Sequence, residues 1–186
     1  IGNSVYQNAS QLPNPVNDAA AIAALLTGAA FDVVELQNNL GVNELRRAVR
    51  NFSQTVQHAD IAVVYFAGHG AYEGKIEKGN EIGFWLLADS EEPSIDPSSS
   101  IQNNQVRDFF SGYPARHIFL VTDAFFSAKW VGKTTALVRG KDAARLLYKE
   151  RSRWVLMSSR SFPEPDLTDK NKKGHSLFAW HLIKVL

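Results

Sequence analysis

Residues 61 to 70 read Ile61-Ala62-Val63-Val64-Tyr65-Phe66-Ala67-Gly68-His69-Gly70, a near-continuous apolar run that ends in a histidine between two glycines. Such a run is typical of a strand that is covered on both faces, as in a parallel sheet. Glycine on each side of a residue lets the backbone bend sharply and approach a bound molecule closely. This stretch therefore predicts a buried strand that places His69 at its carboxyl end.

A second apolar run, residues 116–124, also reads as a strand. Further strands are predicted at 31–36, 81–88 and 154–158, and helices at 15–29, 42–56, 101–110, 143–149 and 176–186. Strands that alternate with helices predict an α/β fold with a mostly parallel sheet. The site of such a sheet lies beyond the carboxyl ends of its strands, where both His69 and Phe125 fall.

The length of 186 residues predicts one domain over residues 1–186. The chain opens on Ile1-Gly2-Asn3, which reads as the end of a strand, so we expect the domain to be part of a longer protein. Apolar residues make up 45% of the chain, as in ordinary globular proteins. A buried core of the usual size is therefore expected.

Charge and cysteine content exclude several classes of function. Lys and Arg number 20 against 19 Asp and Glu, a balance that argues against a nucleic-acid partner. No apolar run reaches the ~20 residues that span a bilayer, so no membrane partner is expected either. The chain has no cysteine, which excludes disulfides, thiolate metal sites and thiol chemistry. This absence fits a reducing compartment, and we expect a cytoplasmic location.

The histidine turn suggests proton-transfer chemistry. His69 could take a proton from a nucleophile, and the backbone N–H of Gly70 could face a developing oxyanion. A structural histidine in a tight turn is the alternative. The turn by itself does not decide between them.

Five stretches, in order along the chain, resemble the caspase–metacaspase superfamily of cysteine peptidases, and bacterial metacaspase-like proteins most closely. They are Gly2-Asn3 with Tyr6, Leu12-Pro13-Asn14-Pro15-Val16-Asn17-Asp18-Ala19, residues 65–70, Asp123-Ala124-Phe125-Phe126-Ser127, and Gly174-His175-Ser176-Leu177-Phe178. The resemblance runs from residue 1 to residue 186. It implies a three-layer α/β/α sandwich of caspase type with a mainly parallel sheet.

The resemblance also shows what is missing. In that family the residue two positions after the strand-end aspartate is the catalytic cysteine, within a pattern similar to Asp-x-Cys-x-Ser-Gly. Here Asp123 is followed two positions later by Phe125, Ser127 matches the serine, and Ala128 replaces the glycine. A phenyl ring has no ionisable or nucleophilic atom, so covalent thiol catalysis is not available.

Asp18 and Asp123 are the candidate binding residues. In metacaspases the aspartates at the matching positions line an acidic pocket that selects Arg or Lys, and charge pairing makes that preference reasonable. Otherwise Asp18 is a first-turn carboxylate favoured by the helix dipole, and Asp123 is a hydrogen-bond acceptor at a strand end. Given the resemblance, we expect a peptide or protein partner with basic side chains to bind here although nothing is cut.

No metal or cofactor is expected. The loop 89–100 carries Asp89, Glu91, Glu92 and Asp96, and some metacaspases depend on calcium, which binds clustered oxygen ligands. The spacing of these residues fits no defined calcium loop, so a solvated surface loop is the favoured interpretation. His175 belongs to a turn that opens the last helix, with Ser176 as its N-cap.

Three functions remain open. The first, which we expect, is a catalytically inactive caspase-like domain, a pseudopeptidase that binds peptides or proteins or regulates an active relative. The second is an active caspase-like endopeptidase or hydrolase specific for basic residues that uses a non-cysteine nucleophile. Ser127 is the candidate, and it would need its own base and oxyanion donors. The third is a purely structural domain. The sequence does not determine the oligomeric state.

Overall fold

The computed structural model describes residues 1–73, 82–124, 150–158 and 174–186. The helices are α1 (Pro15–Gly28), α2 (Val42–Thr55), α3 (Asn103–Ser111) and α4 (Leu177–Val185). The strands are β1 (Ile61–Gly68), β2 (Gly70–Glu73), β3 (Ile82–Trp85), β4 (Ile101–Gln102), β5 (His117–Ala124) and β6 (Ser152–Met157). The helix predicted at 143–149 lies outside the described residues.

A parallel sheet in the order β1-β5-β6 forms the centre of the molecule, which confirms the predicted parallel pairing. Ile61 pairs with His117 at one end and Gly68 pairs with Ala124 at the other, so β1 and β5 finish at the same edge. On the other side of β1, Gly2 forms parallel bridges to Ala67 and to residue 38. The N-terminal residues thus lie beside the end of β1.

A small antiparallel sheet, β2-β3-β4, follows directly after the histidine turn. Its hairpin pairs Gly70 with Trp85, and β3 confirms that residues 81–88 contain a strand, as predicted. The backbone N–H of Leu86 donates a hydrogen bond to the carbonyl oxygen of His69 at 3.0 Å. The small sheet is therefore attached to the carboxyl end of β1.

One face of the parallel sheet packs against α2 and α3. Its buried side chains come from alternate positions of β1 and β5 and from the two helices, and include Leu45, Val49, Ala62, Val64, Phe66, Val106, Phe110, Ile118 and Leu120. Phe66 and Trp85 stack with ring centroids 4.0 Å apart, which joins β1 to the small sheet. Full burial of each such large apolar side chain stabilises the fold by roughly 1.5–3 kcal/mol.

The opposite face packs against α1 and α4. Its core contains Ala19, Ile22, Tyr65, Ala67 and Val121, with Leu25, Leu26, Phe119, Phe178, Leu182 and Ile183 packed against it. Helices thus cover both faces, which confirms the predicted three-layer α/β/α sandwich. Because side chains alternate along a strand, Asp123 lies on the same face as Val121, toward α1 and α4.

The strand predicted at 31–36 is wrong. Within the described chain this segment enters no ladder, and only Asn38 beyond it bridges Gly2. Val33 and Leu36 are 51% and 45% exposed, so these apolar side chains find no packed face. A cavity of about 630 Å³ lies between this segment, α1, α2 and the first half of β1.

The helix predicted at 101–110 begins later than expected. Ile101 and Gln102 form β4 instead, paired with Trp85 and Phe84, and α3 starts at Asn103. Ile101 is fully buried, so its side chain favours attachment to the small sheet over helical geometry. Within the described residues, no helix combines the length and the apolar character that crossing a membrane requires.

Candidate functional site

The candidate site lies where β1 and β5 end side by side. Gly68 pairs with Ala124, so His69 is the next residue after β1, and Asp123 pairs with Ala67 one position earlier. Phe125, which is predicted at the nucleophile position, lies outside the described residues. The same is true of Ser127, the alternative nucleophile. Their roles stay predictions. What the structure describes is the surrounding base and carboxylates.

His69 is held in place from two directions. Its backbone N–H donates to the hydroxyl of Tyr6 at 2.8 Å, and its Nε2 lies 2.8 Å from the carbonyl oxygen of Ser10. Since a carbonyl oxygen can only accept, Nε2 carries a proton. In the neutral ring Nδ1 is then the unprotonated nitrogen, and it is the atom that can take a proton from a neighbour.

Tyr6 explains why position 68 is glycine. The tyrosine hydroxyl accepts from His69 and donates to the carbonyl oxygen of Asn3 at 3.0 Å. A Cβ on Gly68 would lie 2.7 Å from the hydroxyl oxygen of Tyr6. Gly68 is therefore required for a close approach of Tyr6, and the burial of the hydroxyl raises the pKa of Tyr6. The predicted oxyanion donor, Gly70, begins β2, and its role stays a prediction.

Asp18 is buried in the first turn of α1, with 1% of its surface exposed. Its Oδ1 lies 2.6 Å from Nδ1 of His175, and its Oδ2 accepts the backbone N–H of Ser176 at 3.2 Å. Burial raises the pKa of Asp18 to about 6, and the charge of Asp123 acts in the same direction. The hydrogen bonds from His175 and Ser176 oppose that rise.

Asp123 shares a partner with Asp18. Its Oδ2 accepts the hydroxyl of Ser176 at 2.5 Å, and the same oxygen of Ser176 accepts the backbone N–H of Ala179 at 3.0 Å. Ser176 is thus the N-cap of α4, as predicted, and also a link between the two carboxylates. The structure brings Asp18 and Asp123 into one cluster, as an acidic pocket would require.

His175 is the residue of this cluster that the sequence left without a role. The sequence predicts only that it belongs to a turn, although the stretch from Gly174 to Phe178 contributes to the family resemblance. Its partner Asp18 is 157 positions away in the chain. The carbonyl of Ser10 was missed in the same way, because a backbone atom leaves no sequence signal.

The acidic loop serves the fold. Oδ1 of Asp89 accepts the backbone N–H of Val42 at 2.8 Å, at the start of α2. Oδ1 of Asp96 accepts from the N–H and the hydroxyl of Ser98, which lowers the pKa of Asp96. In the part of the chain that the structure describes, no group of three or more histidine or carboxylate side chains could hold a metal ion.

Comparisons with known proteins agree with this architecture. The family model for the caspase domain, peptidase C14, matches residues 1–186. Among solved structures, protein GSU0716 from Geobacter sulfurreducens is similar, with a TM-score of 0.50 and 15% identity over 68% of this chain and 48% of that one. The chain thus spans about half the length of that protein, and the likeness concerns the fold alone. No curated protein gives a significant match. Because the family model covers the whole sequence, the chain belongs to the caspase domain family.

Proposed function

We propose that this domain is a catalytically inactive caspase-like domain, a pseudopeptidase that binds a peptide or protein partner beyond the carboxyl ends of β1 and β5. The observation that carries the proposal is the absence of cysteine from a chain that the caspase-domain model matches throughout. The peptidase chemistry of this family requires a thiolate. The chain contains none, and the family resemblance implies that Phe125 stands at its position.

The surroundings of the missing nucleophile support a binding role over a purely structural one. His69 keeps a hydrogen bond to Ser10 and another to Tyr6, and its Nδ1 is left as an acceptor. The bond to Ser10 fixes the ring and makes Nδ1 the nitrogen that can accept a hydrogen bond from a partner. We therefore place the partner beside His69, beyond the carboxyl ends of β1 and β5.

The carboxylates favour a basic partner. Asp18 and Asp123 are linked through Ser176 on the α1 and α4 side of the sheet. Carboxylates in a partly buried site bind guanidinium and ammonium groups through charge-assisted hydrogen bonds. We expect the partner to present Arg or Lys, and we place the role in the bacterial cytoplasm, which suits the metacaspase-like resemblance and the absence of cysteine.

Turnover is the first test. Fluorogenic peptides that end in Arg or Lys are incubated with the wild type and with Ser127→Ala, with and without calcium. We expect no hydrolysis above the buffer rate from either protein. Hydrolysis by the wild type that disappears in Ser127→Ala would contradict the proposal and favour the active hydrolase that uses Ser127.

Binding is the second test. Isothermal titration measures a basic peptide against the wild type and against Asp123→Asn, which keeps the shape of the side chain and removes its charge. We expect heat of binding with the wild type and an affinity reduced by roughly tenfold in the variant, the loss of one charge-assisted contact. An acidic peptide of equal length is the control. Titrations without heat above dilution in both proteins would favour the structural role.

A further inference from the structure

The turn that precedes α4 offers its own hydrogen-bond donors to the two aspartates. His175 Nδ1 lies 2.6 Å from Oδ1 of Asp18, and Ser176 donates its N–H to Asp18 at 3.2 Å and its hydroxyl to Asp123 at 2.5 Å. A guanidinium or ammonium group would bind these carboxylates with donors of the same kind. The turn therefore occupies carboxylate oxygens of Asp18 and Asp123 to which a basic side chain would have to bind.

The turn is held in this position by the start of α4. Gly174 has a φ of +82°, in the left-handed region that costs other L-residues roughly 1–2 kcal/mol. Ser176 caps α4 through the N–H of Ala179, and the ring of His175 packs on Trp180 with centroids 6.3 Å apart. These contacts keep the imidazole of His175 beside Asp18.

His175 and Asp18 differ in how much of each side chain solvent reaches. The side chain of Asp18 is 1% exposed, whereas that of His175 is 20% exposed. Solvent therefore reaches the imidazole but not the carboxylate behind it. A cation that arrives from solution meets His175 before it meets Asp18.

We propose that His175 occupies the acidic pocket of Asp18 and Asp123, and that a basic side chain enters only after His175 leaves Asp18. The inference rests on the proposed function, because it takes these two aspartates as the pocket for Arg or Lys. His175 is then an intramolecular competitor that determines how strongly the pocket binds a guest. The apparent dissociation constant rises in inverse proportion to the fraction of molecules whose pocket is open.

Argininamide is the probe for this proposal, measured by isothermal titration against wild type, His175→Ala and a control, His181→Ala. His181 is an exposed histidine on α4, the helix that follows this turn. We expect His175→Ala to bind at least roughly tenfold more tightly than wild type, and His181→Ala to bind as wild type does. The gain should disappear in the double variant His175→Ala/Asp18→Asn, which lacks the carboxylate that His175 would release. Equal affinity of wild type and His175→Ala, or a gain that survives in the double variant, overturns the proposal.

A second measurement keeps the proposal testable if His175→Ala does not fold. Argininamide is added to the wild type while the imidazole Hε1 resonance of His175 is followed by NMR. We expect this resonance to shift with a saturating dependence, and to shift at lower concentrations in Gly174→Ala, whose turn is strained. A resonance that stays in place at saturation overturns the proposal. None of these measurements involves turnover. A negative result would therefore contradict the role of His175 and leave the proposed inactive peptidase unaffected. Peptide hydrolysis would instead contradict the inactive peptidase alone.

Discussion

Ser176 donates its hydroxyl hydrogen to Oδ2 of Asp123 across 2.5 Å and thereby joins the start of α4 to the end of β5. The backbone N–H of the same serine binds Asp18 of α1 at 3.2 Å. A single residue therefore connects two helices and the central sheet at the edge where the candidate site lies. The N-cap of α4 is also part of the acidic cluster.

Ser176→Ala removes both the cap and the bond to Asp123. We expect the free energy of unfolding to fall by about 1–3 kcal/mol, the sum of a lost N-cap and a lost hydrogen bond to the carboxylate of Asp123. Urea denaturation measures the change. Ser176→Thr should recover most of it, and the exposed Ser111→Ala should stay within about 0.5 kcal/mol of wild type. Equal stability of Ser176→Ala and Ser111→Ala would contradict this prediction.

Asp18 should make the folded state less stable as the pH rises from 4 to 6. Burial raises its pKa from 3.8 to about 6, so between these values the folded protein binds more protons than the unfolded chain. The stability that protonated Asp18 adds to the folded state is fully present below pH 3.8 and is lost as the pH rises through 6. At about 1.4 kcal/mol per pKa unit, the change is on the order of 2–3 kcal/mol.

Urea denaturation of wild type and Asp18→Asn between pH 3.5 and 7 measures this contribution. We expect the stability of wild type relative to Asp18→Asn to decrease over the range, because the amide does not titrate. Asp32→Asn, at an exposed position, is the control and should follow wild type. A constant or rising difference between wild type and Asp18→Asn would show that the environment of Asp18 does not raise its pKa.

Tyr6→Phe leaves the backbone N–H of His69 and the carbonyl of Asn3 without their hydroxyl partner. We expect a loss of about 1–3 kcal/mol in the free energy of unfolding, since polar groups in a mostly buried position lose their hydrogen bonds. Tyr72→Phe is the matched control, because Tyr72 is 44% exposed. Equal unfolding midpoints in urea for the two variants would contradict the prediction.

Gly68→Ala should be destabilising because of Tyr6. The new Cβ would lie 2.7 Å from the tyrosine hydroxyl, and crowding of this kind costs about 1–3 kcal/mol. In the Tyr6→Phe background the hydroxyl is absent, so the cost of Gly68→Ala should decrease. A double-mutant cycle by urea denaturation measures the coupling. Strict additivity of the two changes would mean that the contact does not determine the residue at position 68.

Phe125→Cys tests whether the candidate base still operates. The family resemblance assigns position 125 to the nucleophile and His69 to the base, so a thiol introduced there should be activated by the imidazole of His69. A neighbouring imidazolium stabilises a thiolate, and alkylation by iodoacetamide near pH 6.5 should be at least roughly tenfold faster than in Phe125→Cys/His69→Ala. Equal alkylation rates would indicate that His69 does not activate a thiol at position 125, and that the site differs from an active one at more than the nucleophile.

Local patterns predicted most of the elements, and the reason is physical. The apolar runs of β1 and β5 and the helical spacing in α1, α2 and α4 each reflect a face that must be buried, and burial leaves a period in the sequence. The segment 31–36 shows the limit of that argument. Its residues suit a strand, but a strand also needs a neighbour with free backbone groups, and a local pattern contains no information about its neighbour.

The sequence by itself determined the absence of a thiol, the alternation of strands and helices, and the candidates His69, Asp18 and Asp123. Only the tertiary structure decided that Nε2 of His69 is committed to the carbonyl of Ser10 and that His175 lies against Asp18. These pairs are 59 and 157 positions apart in the chain. Contacts of that kind form only when the β1–β5 pairing and the packing of α1 on α4 bring distant segments together, because hydrogen bonds depend on distance in space.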